Sequence, residues 1–211
     1  MEFKHYTRGE LAADAVVHAL GVGFALIGGP ILIGLVAAKS DGWTIAAISI
    51  YVASLISMFG FSAGYNLAPI SRAKEWLRRL DHSTIYLKIA GAYTPFALIS
   101  LSGGVGKMLL LMVWLAAGIG IALKLIYPRR FEILSLALYL AMGWAAVVVA
   151  DEIAASVDGA TMVLLVVAGC LYTFGVIFHV WEKLPFQNAI WHVFVLAATA
   201  VLYAAMAVEF V

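Results

Sequence analysis

Apolar residues run along the chain in seven long stretches, residues 15–38, 43–68, 83–101, 107–127, 131–150, 160–181 and 189–208, parted by short clusters of charged or turn-forming residues. A helix needs about 20 such residues to cross the hydrocarbon core of a bilayer, so each stretch is long enough to span. Closed barrels also satisfy every backbone group in lipid, but their walls alternate apolar with polar residues, and these stretches do not. The pattern predicts an all-α fold, a seven-transmembrane helix bundle forming a single domain over residues 1–211. Pro30 and Pro95 are expected to kink the first and third spans. Gly60 with Gly64, and Ala141 with Gly143, offer close helix contact.

Composition sharpens this picture. With 64% hydrophobic and 12% charged residues and a mean hydropathy of +1.02, charges cannot cover a water-soluble surface, and lipid is the main solvent. Short connections leave no room for a separate soluble domain, and nothing points to nucleic acid as a partner. Cys170 has no cysteine to pair with in the chain. Acidic Glu10 and Asp14 precede the first apolar stretch, which argues for a retained helix rather than a cleaved leader. Positive loops resist translocation. Lys4, Arg8, Arg72, Lys74, Arg78, Arg79, Lys124, Arg129, Arg130 and Lys183 fall on one side, against Lys39 and Lys107 on the other. The N-terminus is therefore expected in the cytoplasm and the C-terminus outside, in a multi-pass protein of the cell inner (plasma) membrane. His5 and His179 read as interfacial residues.

This topology gives each intramembrane polar residue a depth. Ser62 and Asn66 stand four apart at the cytoplasmic end of the second span, Asp81 and His82 open the third, and Asn188 and His192, again four apart, open the seventh. His18 lies about one turn into the first span. These groups share one stratum, and costly polar residues at one depth point to a site. Ordinary structural roles also account for some of them: Asp81 as a helix cap, Ser62 and Asn66 as interhelical donors, His18 as a satisfied buried histidine. Lys88 lies two turns beyond Asp81 on the same face, roughly 10 Å deeper. It must either bend back to pair with Asp81 or charge a polar cavity.

The segments RAKEWLRRLDHSTIYLKIAGAYTPFALISL, ILSLALYLAMGW and GVIFHVWEKLPFQNAIWHVFVL, with GELAADAVVHALG near the N-terminus, resemble the bacterial hemolysin III proteins, the bacterial branch of the progestin and adipoQ receptor family. The resemblance covers nearly the whole chain. It implies a seven-helix bundle in a wider group regarded as metal-dependent membrane hydrolases. The adiponectin receptors in that group hold zinc near the cytoplasmic side and are linked to ceramide hydrolysis, and bacterial members are associated with membrane-fluidity and energy homeostasis. Carried over by position, the second-span Ser-x-x-x-His motif is met by Ser62 and Asn66, the third-span aspartate by Asp81, and the seventh-span His-x-x-x-His by Asn188 and His192. A histidine often found ten residues later is here Leu202. Zinc is the cofactor the resemblance implies, with Asn66, Asn188 and His192 at its ligand positions and Ser62 and Asp81 at the catalytic ones.

Two of those three ligand positions carry amides, and a neutral carboxamide is a poor zinc ligand. One histidine cannot grip the ion; Asp81 is the further donor available, with His18 or His82 as a third. The expectation is therefore a membrane-homeostasis protein with a degenerate metal site, in which Lys88 offsets charge. Two other functions compete with it. One is zinc-dependent hydrolysis of lipid amides or esters, with membrane lipids as partners and a lipid-like substrate. The other is a proton or ion pathway through Asp81, Lys88 and His192.

Overall fold

The computed structural model describes residues 6–101 and 103–211; Lys4 and His5 lie outside the described residues. Helix α1 (Arg8–Ala37) is followed by α2 (Gly42–Leu67), α3 (Arg72–Pro95), α4 (Gly103–Ile126), α5 (Glu132–Gly143), α6 (Ala150–Ser156), α7 (Gly159–Val180) and α8 (Gln187–Phe210). Six segments are long and apolar enough to cross a membrane: α1, α2, α4, Glu132–Ser156, α7 and α8. The remaining long helix, α3, opens with three charged turns. Its apolar part begins only after Arg79.

Helix starts follow local chemistry. Thr7 and Glu10 form a reciprocal capping box on α1, and the Ser71 side chain accepts the Lys74 N–H at the start of α3. Asp81 is thus ten residues inside α3, and the expectation that it caps a helix beginning near residue 83 is corrected. Asp41 caps α2, accepting the Thr44 N–H at 2.9 Å and the Thr44 hydroxyl at 2.8 Å. Those bonds hold its carboxyl below the usual carboxylate range. A carboxyl that titrates lower when folded stabilises the fold fully above its unfolded value and loses that contribution as pH falls through its folded one. Asp41→Ala should therefore lower the thermal midpoint at neutral pH, with the gap to wild type closing below about pH 4. Melting curves of both proteins across that range check this.

Pro95 does not merely kink α3. Because it donates no N–H, the ladder shifts and residues Phe96–Ser100 form one turn of π-helix, with Leu101 N–H reaching the Phe96 carbonyl at 2.9 Å. Pro30 sits inside an unbroken α1. The fifth stretch, expected as one helix over 131–150, instead breaks at Trp144, turns through a 3-10 segment at Ala145–Val149 and resumes as α6. Asp151 and Glu152 accordingly lie in a helix.

Close helix contact falls only partly where expected: Gly64 of α2 stands against Leu77 of α3, 3.4 Å from where its Cβ would be. A Cβ added at Gly60 or Gly143 would meet nothing. The tight approaches include Gly21 on Phe59 and Gly29 on Val52 between α1 and α2, Gly91 on Ser54 between α2 and α3, and Gly120 on Tyr86 between α3 and α4. These glycines seat two apolar clusters. One joins α1, α2 and α8 through Leu32, Tyr51, Leu55, Phe59 and Met206; the other joins α3, α4 and the α5–α6 segment through Tyr86, Leu109, Val113, Met142 and Ile153. Outward residues such as Ile133, Val148 and Trp43 are 85%, 82% and 75% exposed, which suits a surface solvated by lipid.

The basic residues next to α3 are tied down. Arg78 donates to the Pro128 carbonyl and Arg79 to the Leu125 carbonyl, satisfying the end of α4. Lys124 pairs with Glu132 at 2.7 Å and Arg129 with Glu75 at 2.8 Å. Together they hold the α3, α4 and α5 ends in one layer.

Candidate functional site

Between the two apolar clusters lies a cavity of about 1390 Å³, walled by α1, α2, α3, α5, α7 and α8. Polar residues of its lining come from α1, α2, α3 and α8, and α5 and α7 add Glu132, Tyr139, Tyr172 and Thr173. On α1, Asp14 and His18 are one turn apart and so share a face, with His18 Nε2 at 3.4 Å from Asp14 Oδ2. The start of α8 is brought beside α1 by a specific bond: the backbone N–H of Phe186, a residue at φ 58°, donates to Glu10 Oε1 at 3.0 Å. One turn further, Asn188 Nδ2 donates to Asp14 Oδ2 at 2.9 Å, and His192 Nδ1 lies 2.7 Å from Asp14 Oδ1. The His18 and His192 rings are 4.4 Å apart between centroids.

From α2, Asn66 Oδ1 accepts from Asn188 Nδ2 at 3.1 Å while Asn66 Nδ2 donates to the Ser62 carbonyl at 2.9 Å. A carboxylate accepts only, so the Asn188 amide must present its NH₂ to Asp14, and that choice fixes the Asn66 carbonyl as its second acceptor. Ser62 on α2 and Asp81 on α3 are neighbours across the helix contact, and both line the cavity. Asn66, Asn188, His192 and His18 therefore form one connected group around Asp14, which reaches the Ser62 carbonyl through Asn66, with Asp81 beside Ser62.

His82 and Lys88 stand apart from that group. His82 lines the same cavity, but its ring faces Tyr65, with centroids 6.3 Å apart, and its carbonyl accepts from Tyr139. Lys88 donates to the Tyr172 hydroxyl rather than bending back to Asp81. Asp14 is the member that the sequence reading leaves out, taking it only as a charge that flanks a span. Its signal is the four-residue spacing to His18.

The donor set can be tested against zinc directly. Asp14, His18 and His192 each offer a ligand atom, and these atoms all lie within 4.8 Å of one another. Asp14 and His18 are 5% and 2% exposed. His18 Nε2 is buried with no hydrogen-bond partner, a costly state for a polar atom unless something else binds it. Two imidazoles and a carboxylate are a usual catalytic zinc set, so the residues present fit the ion. His18, one of the two histidines available as a third donor, does stand beside His192, and the carboxylate that joins them is Asp14 of α1 rather than Asp81. The Asn188 amide serves that carboxylate as a hydrogen-bond donor, and Asn66 accepts in turn from Asn188.

Comparison with known proteins agrees with this architecture. The family model described as Haemolysin-III related matches residues 12–203. The chain is 37% identical over 198 residues to the hemolysin-3 homolog of Bacillus subtilis (strain 168), covering 94% of this chain and 93% of that one. It is 38% identical over 197 residues to hemolysin-3 of Bacillus cereus, covering 92% and 89%. To the human monocyte to macrophage differentiation factor it is 29% identical over 205 residues, covering 93% and 83%. No solved structure matches the chain. With a family match across nearly its full length and apolar helices of spanning length, the chain is a multi-pass integral membrane protein, which in bacteria means the inner membrane, and it belongs to the haemolysin-III related family.

Proposed function

We propose that this protein acts in membrane homeostasis through a divalent metal centre, zinc by donor type, held by Asp14, His18 and His192 in the lipid-accessible cavity, and that it hydrolyses a lipid amide or ester there. The observation that carries the reading is the convergence of those three side chains, with ligand atoms within 4.8 Å of one another, around a buried His18 nitrogen that makes no hydrogen bond. When bound, the ion would supply Lewis-acid polarisation of a carbonyl. The chain's own residues do the rest. Asn188, itself seated on Asn66, holds Asp14 in its orientation, and the carboxyl of Asp81, beside Ser62, can take up or release a proton within the same cavity. The apolar walls exclude water and admit acyl chains. The distribution of lysine and arginine supports a cytoplasmic N-terminus, with α3 as a seventh span and the centre facing the cytoplasmic side.

Metal analysis of the protein purified in neutral detergent, paired with turnover of short-chain lipid esters and amides, tests this. About one zinc per chain is expected, with hydrolysis lost on chelation and in Asp81→Asn. Asn188→Ala should weaken zinc about 10- to 100-fold without removing the site, as loss of a partner that orients a ligand does. Stoichiometric metal without hydrolysis would remove the enzymatic half of the proposal; no metal would remove both halves.

A further inference from the structure

Lys88 takes no part in the metal centre, yet it is 3% exposed in the middle of α3. Among the described residues no carboxylate forms an ion pair with it. Its ammonium group donates to the Tyr172 hydroxyl and stands 4.4 Å from the centroid of that ring. The Tyr172 and Thr199 hydroxyls are 2.6 Å apart. Lysine, tyrosine and threonine thus form a short chain of donors across α3, α7 and α8, with a positive charge at one end and no anion to meet it. A charge left unpaired inside a membrane bundle costs several kcal/mol.

Lys88 also marks a boundary. With Ile89, Trp144 and Tyr172 it lines both the large polar cavity and a second pocket of about 170 Å³. The other walls of that pocket include Phe96, Leu165 and Leu202. Val147 and Val166, which also line it, are 60% and 45% exposed, so the pocket opens toward the lipid-facing surface. A molecule with its head at Lys88 can therefore run its chain through an apolar channel to the bilayer.

We infer that Lys88 and Tyr172, the latter's hydroxyl backed by Thr199, form a binding site for a single-chain amphiphile with an acidic head. Its carboxylate or phosphate meets the Lys88 ammonium and the Tyr172 hydroxyl, and its alkyl chain lies in the apolar pocket. The anion supplies the counter-charge that the bundle lacks. The site is independent of the metal: none of its three residues is a ligand or bonds to one.

The test uses metal-free, chelator-treated full-length protein in neutral maltoside detergent, with binding of dodecanoate, dodecyl phosphate, dodecanol and dodecyltrimethylammonium read by calorimetry or native mass spectrometry. At least one acid should bind ten-fold or more tightly than the alcohol, and the cation least of all. The two acids show which anion the site prefers. Lys88→Gln should bring acid and alcohol to within about two-fold of each other, leaving alcohol binding unchanged. Tyr172→Phe keeps the ring and should reduce the acid preference in part, which carries the variant test if Lys88→Gln does not fold. Equal binding of acid and alcohol by the wild-type protein, or an acid preference that survives both substitutions, overturns the inference. Because no metal is present, failure here leaves the proposed function standing, and the reverse holds.

Discussion

Asp14→Ala should strip the protein of bound metal. Asp14 is the one residue that touches every other part of the centre: His18 at 3.4 Å, His192 at 2.7 Å and Asn188 at 2.9 Å. Removing it deletes a ligand, frees both imidazoles to rotate and leaves the Asn188 amide with Asn66 alone as acceptor. Loss of an orienting partner alone weakens metal binding 10- to 100-fold, so loss of the ligand it orients should exceed about 100-fold. Zinc retained after exposure to a competing chelator should fall from about one per chain to a small fraction. The same change should abolish zinc-dependent stabilisation, which for a ligand at 100 times its Kd is about 2.7 kcal/mol. Asp14→Asn keeps the shape and the Asn188 contact but not the charge; it should lose metal as well. Zinc unchanged in either variant, with the protein folded, would show that the ion sits elsewhere or that the ligands are others.

The second large effect concerns packing rather than chemistry. Gly91→Val should destabilise the bundle by about 3 kcal/mol, because overpacking a tight contact costs about 1–3 kcal/mol and the two clashing atoms here have little room to move. A Cβ at Gly91 meets the Ser54 side chain and approaches the Ile50 carbonyl at 3.4 Å. Ser54 is itself 2% exposed and bonded to the Tyr51 carbonyl. Separating α2 from α3 at this level would also part Ser62 from Asp81. Gly60→Ala is the matched control: its Cβ meets nothing, and replacing a helical glycine by alanine should leave stability unchanged or raise it by up to about 1 kcal/mol. Thermal midpoints in one detergent compare the two. Equal effects would mean that the Gly91 contact does not set the α2–α3 spacing.

The helices were legible because lipid imposes a length rule that short loops do not disturb, and most boundaries follow from it. The start of α3 was not, since three charged turns hide a helix whose signal is the cap at Ser71 rather than an apolar run. The break at Trp144 depends on how the Gly143–Val149 segment packs, which no periodicity records. At the site, Ser62, Asn66, Asp81, Asn188 and His192 could be named from their spacing and shared depth. Asp14 could not be placed among them, because a charge just ahead of an apolar stretch reads as an interfacial flank. What makes it a site residue is the approach of α8 to α1 through Glu10 and Phe186, a contact between residues 176 positions apart. Gly60 misled for the same reason in reverse: small residues permit close contact, but only the neighbouring helix decides which of them is used.

The most direct test of the central claim is the position of the metal. X-ray diffraction from zinc-soaked crystals at the zinc absorption edge should show one anomalous peak within about 2.0–2.2 Å of Asp14, His18 and His192. A peak bound by His192 with Asn66 and Asn188 instead, or no peak at this end of the bundle, would contradict it.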